Sequence, residues 1–120
     1  MEEINLRNYA YLGDAVWELF IRGKTILKTN NAKKLHQMTT NLVKTQFQCH
    51  LLNILDKELT EEEHEITRRA RNLPIPVGRR NIQNEYRQAT AFEALIGWWY
   101  THDKNRYNEI INILEQNIEY

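Results

Sequence analysis

Two stretches of this sequence are almost wholly apolar, and each carries a carboxylate in its middle. The first, YLGDAVWELF, runs from Tyr11 to Phe20 and holds Gly13 and Asp14, with Glu18 one turn later. The second, ATAFEALIGWWY, runs from Ala89 to Tyr100, and Glu93 is its only ionisable group before the terminal tyrosine. Both have the length and composition of helices bound for a core. Yet a glycine inside a helix costs about 1 kcal/mol relative to alanine, and an unpaired buried carboxylate costs more. Something must compensate. Two such acids on different helices can meet across a packed interface, where a shared divalent cation keeps both ionised. Periodicity alone leaves open a plainer arrangement, in which each acid sits at a helix edge or pairs with an arginine such as Arg22 or Arg87. Glu18 has its own simple partner in Arg22, spaced i,i+4.

The rest of the chain points to helices as well. Only two prolines and four glycines in 120 residues leave little room for a turn-rich β architecture. Five helices are expected and no strand. The first spans about Asn8 to Gly23. The second follows the Asn30-Asn31 turn and runs unbroken to about Leu55, with Leu35, Met38, Leu42, Cys49 and Leu52 at helical spacing. The third opens with Thr60 and Glu63, spaced as a capping box, and ends near Asn72 because Pro74 and Pro76 follow. A loop from Leu73 to about Asn84 leads to the fourth helix, about Glu85 to Tyr100. The fifth runs from Asp103, an expected N-cap, to Ile118. With no repeats and no linker, residues 1–120 are expected to form one all-α domain.

Composition excludes several classes. Hydrophobic residues at 42% and charged residues at 27% are those of a soluble globular protein. The N-terminus, MEEINLRNYA, is acidic where a signal peptide would be basic, and no apolar run reaches membrane-spanning length. Cytosolic residence is expected. The single cysteine, Cys49, rules out an internal disulfide and any CxxC metal site, and on an apolar helix face it reads as a structural thiol. The histidines are scattered, and no HExxH, GxSxG or glycine-rich phosphate loop is present. The tryptophans and Tyr100 lie in apolar runs, as core or interface residues do. Gly97 among them suggests the close approach of another backbone, in this chain or a partner.

Net charge is zero, but unevenly spread. Between Asp56 and Glu65 six acids face one lysine, a balance of −5; between Arg68 and Arg87 six arginines face one glutamate, a balance of +5. Such asymmetry suits a polyanion on one surface.

These residues carry a resemblance. YLGDAVWE (Tyr11 to Glu18) and YRQATAFEALIGWWY (Tyr86 to Tyr100) resemble the two signature helices of the ribonuclease III catalytic domain, closest to its minimal form, Mini-ribonuclease III. KLH at Lys34, LTEEE at Leu59 and RRARN at Arg68 are similar to the same subfamily, in the same order. The resemblance covers about Asn8 to the start of the last helix. It implies an all-helical ribonuclease III fold acting as a homodimer, and an endoribonuclease that cuts double-stranded RNA with Mg²⁺, for which Mn²⁺ can substitute. It implies 5′-phosphate and 3′-hydroxyl products and a role in maturing precursor large-subunit (23S) ribosomal RNA. It assigns Asp14 and Glu93 as catalytic metal ligands. The host compartment it implies is a bacterial cytoplasm or the stroma of a plastid.

The departures from the larger enzymes are informative. Their glutamates seven and four positions before the LGD aspartate are here Arg7 and Ala10, and their aspartate three before the second glutamate is Thr90. Mini-ribonuclease III proteins generally lack these acids too. Mg²⁺ readily keeps several waters and uses one or two carboxylates plus substrate phosphate, so a thin set still serves. No double-stranded-RNA-binding domain is expected, the sequence ending at Tyr120. Grip then falls to basic residues of the catalytic domain: Arg68, Arg71, Arg79, Arg80 and Arg87, with Lys33, Lys34 and Lys44 as a second strip. The alternative is a catalytically weak or inactive module of the same fold that binds structured RNA or the ribosome.

Overall fold

The structure, a computed structural model, describes residues 5–75, 78 and 83–120. They form six α-helices and one short 3₁₀ turn, with no strand among the described residues. The helices are α1 (Leu6–Thr25), α2 (Ala32–Val43), α3 (Thr45–Leu55), α4 (Glu61–Arg71), α5 (Gln83–His102) and α6 (Lys104–Glu115). The caps anticipated from sequence at Thr60 and Asp103 are present, and Asn31, expected only as a turn residue, is a third. Asn31 accepts from the Lys34 amide at 2.9 Å, Asp103 accepts from the Arg106 amide at 3.0 Å, and Thr60 and Glu63 close the capping box. At the start of α1, Asn5 caps Asn8, two residues earlier than the periodicity suggested.

α5 is the axle of the fold. It packs against α1, α3, α4 and α6, and its contact with α1 is the most extensive in the molecule. This explains a sequence that is apolar on nearly every side: Ala91, Phe92, Ala94, Leu95, Ile96 and Trp99 are all buried. Trp17 of α1 meets Phe92 edge-on with centroids 5.2 Å apart.

Gly13 and Gly97 make the α1–α5 contact possible. A Cβ on Gly13 would stand 1.8 Å from the Glu93 carbonyl oxygen, and one on Gly97 would stand 2.0 Å from the Tyr9 carbonyl oxygen. Each glycine therefore receives the backbone of the other's helix. The approach anticipated at Gly97 is made within the chain.

One element differs from expectation. The helix predicted to run unbroken to Leu55 is interrupted at Lys44, whose backbone is extended (φ −70°, ψ 159°). Neither proline nor glycine marks the place. The carbonyls freed by the break find tertiary donors instead: Trp17 Nε1 donates to Leu42 at 3.0 Å, and Gln48 Nε2 donates to Val43 at 3.2 Å. Buried backbone acceptors require such partners, and these come from α1 and from the next turn of α3.

Glu63 does more than cap. Its carboxylate also accepts from Trp99 Nε1 at 2.8 Å and from the Arg106 guanidinium at 2.8 and 2.9 Å, tying α4 to α5 and α6. Burial pushes its carboxyl up, but Arg106, the Thr60 amide and Trp99 together hold it below the ordinary range.

Candidate active site

The glycine crossing places the carboxylates. Gly13 rests on the backbone of Glu93 itself, so Asp14, the next residue of α1, emerges beside the Glu93 side chain. The two carboxyls line the same cavities and act on each other. Burial, then the Asp14 charge, then the Asp14 carboxyl at hydrogen-bonding range push Glu93 up to about 8, while the Gln48 amide opposes the rise. A carboxyl so displaced is protonated at neutral pH unless a positive charge joins it. The arginines considered as partners are engaged elsewhere. Arg22 pairs with Glu18 at 2.8 Å, as its spacing suggested, and Arg87 donates to the carbonyls of Arg71 and Leu73.

Two open cavities join at the acids. One, about 410 Å³, reaches from Asp14 and Glu93 to Lys44, Thr45 and Gln48 at the break between α2 and α3. The other, about 390 Å³, runs along α1 past Arg7, Ala10 and Tyr11. Tyr86 and Thr90 line both. Arg7, Ala10 and Thr90, the positions where larger enzymes carry further acids, thus surround the pair. No group of three metal-ligating side chains occurs among the described residues, so the protein oxygens here are few.

Of the basic residues singled out from sequence, Lys44 lines the first cavity, and the other described ones stand apart from this centre. Lys33 and Lys34 are exposed in the first turn of α2, and Arg68 is exposed and paired with Glu65. Arg71 and Arg87 are half-buried, and Arg87 braces the end of α4. None of these five lines either cavity. Arg79 and Arg80 lie outside the described residues. Gln48 and Tyr86 are among the lining residues to which sequence reasoning gave no role. Gln48 offered no signal, since its place depends on the unforeseen break. Arg7 and Thr90 stood seven and three residues before the acids, spacings that share a helix face. Cys49 is half-buried; its thiol donates to the Glu85 carbonyl at 3.1 Å, and burial pushes its pKa up, as a structural thiol requires.

The ribonuclease III domain profile matches residues 7–104, the span that holds both acids and the glycine crossing. The chain belongs to the ribonuclease III family. Within it, the chain is 38% identical over 116 residues to the Mini-ribonuclease 3 of Gloeobacter violaceus, covering 97% of this chain and 86% of that protein. It is 35% identical over 118 residues to the Mini-ribonuclease 3 of Clostridium tetani, covering 95% and 78%. The fold matches the crystal structure of a Fusobacterium nucleatum protein with a TM-score of 0.84 at 32% identity, over 95% of each chain. The chain is accordingly an endoribonuclease of the Mini-ribonuclease 3 type, from a family that acts on double-stranded RNA. Among the described residues no helix is long and apolar enough to cross a membrane.

Proposed function

We propose that this ribonuclease III family chain cuts double-stranded RNA in a Mg²⁺-dependent reaction, with Asp14 and Glu93 as its metal ligands and residues 1–120 as one catalytic unit. The observation that carries this reading is the contact between the two carboxyls, which leaves Glu93 pushed up to about 8. Hard oxygen donors, an open cavity and an excess of negative charge fit Mg²⁺, with Mn²⁺ as a substitute. When bound, such a cation polarises the scissile phosphate and acidifies a water. The protein's own task is orientation. Asp14 and Glu93 are held by the two most firmly packed helices, and Thr90 and Tyr86 line the floor where a phosphate would lie.

The substrate we propose is a stem of precursor large-subunit ribosomal RNA, in a bacterial cytoplasm; the relatives named are bacterial. Duplex RNA is gripped through phosphates and 2′-hydroxyls. Lys33, Lys34, Arg68, Arg71, Arg79, Arg80 and Arg87 remain the proposed contacts, with Arg87 acting through the backbone it braces. The enzyme is further proposed to work as a homodimer. The outward face of α1 supports this, because Tyr11 is 84% exposed and Leu19 72% exposed two turns on. A two-fold pair would set two sites on a duplex that is itself two-fold symmetric.

The test is cleavage of a labelled duplex panel, including precursor ribosomal stems, with Mg²⁺ or with chelator. Asp14→Asn and Glu93→Gln should abolish cutting with the circular dichroism unchanged. Bound but uncut duplexes would favour a binding module, and cutting that survives both substitutions would remove the acids from the chemistry.

A further inference from the structure

Gln48 is 3% exposed, which is rare for an uncharged amide unless every polar atom is used. It lies in the first turn and a half of α3, immediately after the break at Lys44, and it lines the cavity that holds Asp14 and Glu93. Its Nε2 donates to the Val43 carbonyl at 3.2 Å, and its amide borders the same cavity as the Glu93 carboxyl, whose rise it opposes. Both neighbours are acceptors when Glu93 is ionised. The two N–H groups of one amide nitrogen match them, and the carbonyl oxygen of Gln48 cannot.

We propose that Gln48 is a positioning residue for the cleavage reaction, holding one oxygen of Glu93 so that the other is presented toward Asp14. The proposal rests on Asp14 and Glu93 being the metal ligands. Its logic is that of a carboxylate ligand fixed by an outer hydrogen-bond donor, whose loss typically weakens metal affinity or activity about 10–100-fold. It also gives the break a purpose. A continuous helix would bury the Val43 carbonyl in its own ladder, and Gln48 would lack the second anchor that locks its amide. The break, the amide and the carboxylate form one connected unit, reaching from the backbone of α2 to the middle of α5.

The experiment is Mn²⁺ titration of the full chain, with free Mn²⁺ followed by electron paramagnetic resonance, beside steady-state cleavage of a duplex. Gln48→Leu removes both donors. Gln48→Met fills the same space with an unbranched chain, should the leucine variant fold poorly. Trp17→Phe serves as the structural control, because it removes the partner of Leu42 at the same break and touches neither acid. The expected result is Mn²⁺ binding about 10–100-fold weaker in the Gln48 variants, with kcat lowered and KM for duplex little moved, while Trp17→Phe binds Mn²⁺ as the wild type does. Wild-type affinity in both Gln48 variants would overturn the proposal, as would an equal weakening in Trp17→Phe. A wild-type chain that cuts duplex but binds no Mn²⁺ would overturn it together with the metal reading. If Mn²⁺ binding is intact in Asp14→Asn, the choice of ligands fails first.

Discussion

Gly13→Ala is the most searching perturbation of this structure, because one methyl group tests the fold and the site together. The added Cβ would lie 1.8 Å from the Glu93 carbonyl oxygen, 2.7 Å from its carbon and 2.9 Å from the Gly97 nitrogen. All three are backbone atoms in the middle of a helix, so no side chain can swing aside. An ordinary contact begins at 3.4 Å, so α1 and α5 must part by about 1.6 Å locally. A gap of even 1 Å forfeits roughly a quarter to a half of each dispersion contact across it. Overpacking typically costs about 1–3 kcal/mol and more where nothing can yield; the better helix propensity of alanine returns about 1 kcal/mol. The net loss should be on the order of 3 kcal/mol, or roughly 10 °C in Tm for a domain of this size. The same movement carries Asp14 away from Glu93, and a misplacement of about 1 Å at a reacting centre can cost roughly 100-fold in rate. Gly23→Ala is the matched control. It lies in the same helix with nothing within 4 Å of its Cβ position, so it should stabilise by up to about 1 kcal/mol and leave cutting unchanged. Thermal melts and duplex cleavage of the two variants decide the matter. Equal stability, or cleavage by Gly13→Ala within about threefold of wild type, would refute the account of the crossing, on which the ~100-fold expectation rests.

Other expectations follow from the same contacts. At pH 9, above the value of about 8 for Glu93, that carboxyl is ionised beside Asp14 in the cation-free chain; Asp14→Asn should then raise its stability by on the order of 1 kcal/mol by removing repulsion, while abolishing cutting, and a fall in stability by denaturant melt would contradict this. Glu63, held below its ordinary range by Arg106, Thr60 and Trp99, binds its proton more readily when unfolded. Its contribution is therefore complete above about pH 4.5 and lost as pH falls through the folded value, so Glu63→Gln should be less stable than wild type at pH 7, the difference narrowing in acid. Parallel stability curves for the two between pH 3 and 7 would speak against that network. Trp17→Phe keeps an aromatic ring in the core but leaves the Leu42 carbonyl without its donor, which should cost about 1–3 kcal/mol; faster hydrogen exchange at the α2–α3 junction would localise the loss.

What could be read from the sequence was whatever the local pattern carried. The apolar runs around Asp14 and Glu93, the Thr60–Glu63 box and the Asp103 cap each announce themselves within a few residues. Gly13 and Gly97 could be flagged as costly, but only the structure shows that they pay for each other. The break at Lys44 was invisible for the opposite reason. Nothing in KTQF forbids a helix, and the interruption is decided by Trp17 and Gln48, the first of them 25 residues from the carbonyl it caps. The basic residues illustrate a third limit. Charge along the chain located a positive segment, yet Arg87 turns out to brace backbone carbonyls while Arg7 and Lys44, outside that segment, line the cavities.

Three departures from local preference meet at one place, and they are the physical reason for placing the site there. Left to local preference, α1 would carry alanine at position 13, α2 would run on into α3, and neither Asp14 nor Glu93 would sit in an apolar run. Each departure costs stability. Each also moves something toward the same point: the glycines bring the helix backbones together, the break sets Gln48 against Glu93, and the packed helices hold the two carboxyls in contact. Sequences agree with their folds at most positions, and concentrated disagreement marks function. Here a cation held by the two acids would offset the largest of these costs, a carboxyl displaced to about 8. The site is therefore expected to be the least stable part of the core without metal and among the most stable with it. Hydrogen exchange at residues 13–17 and 90–97, measured with and without Mg²⁺, should show protection rising there before it rises in α6.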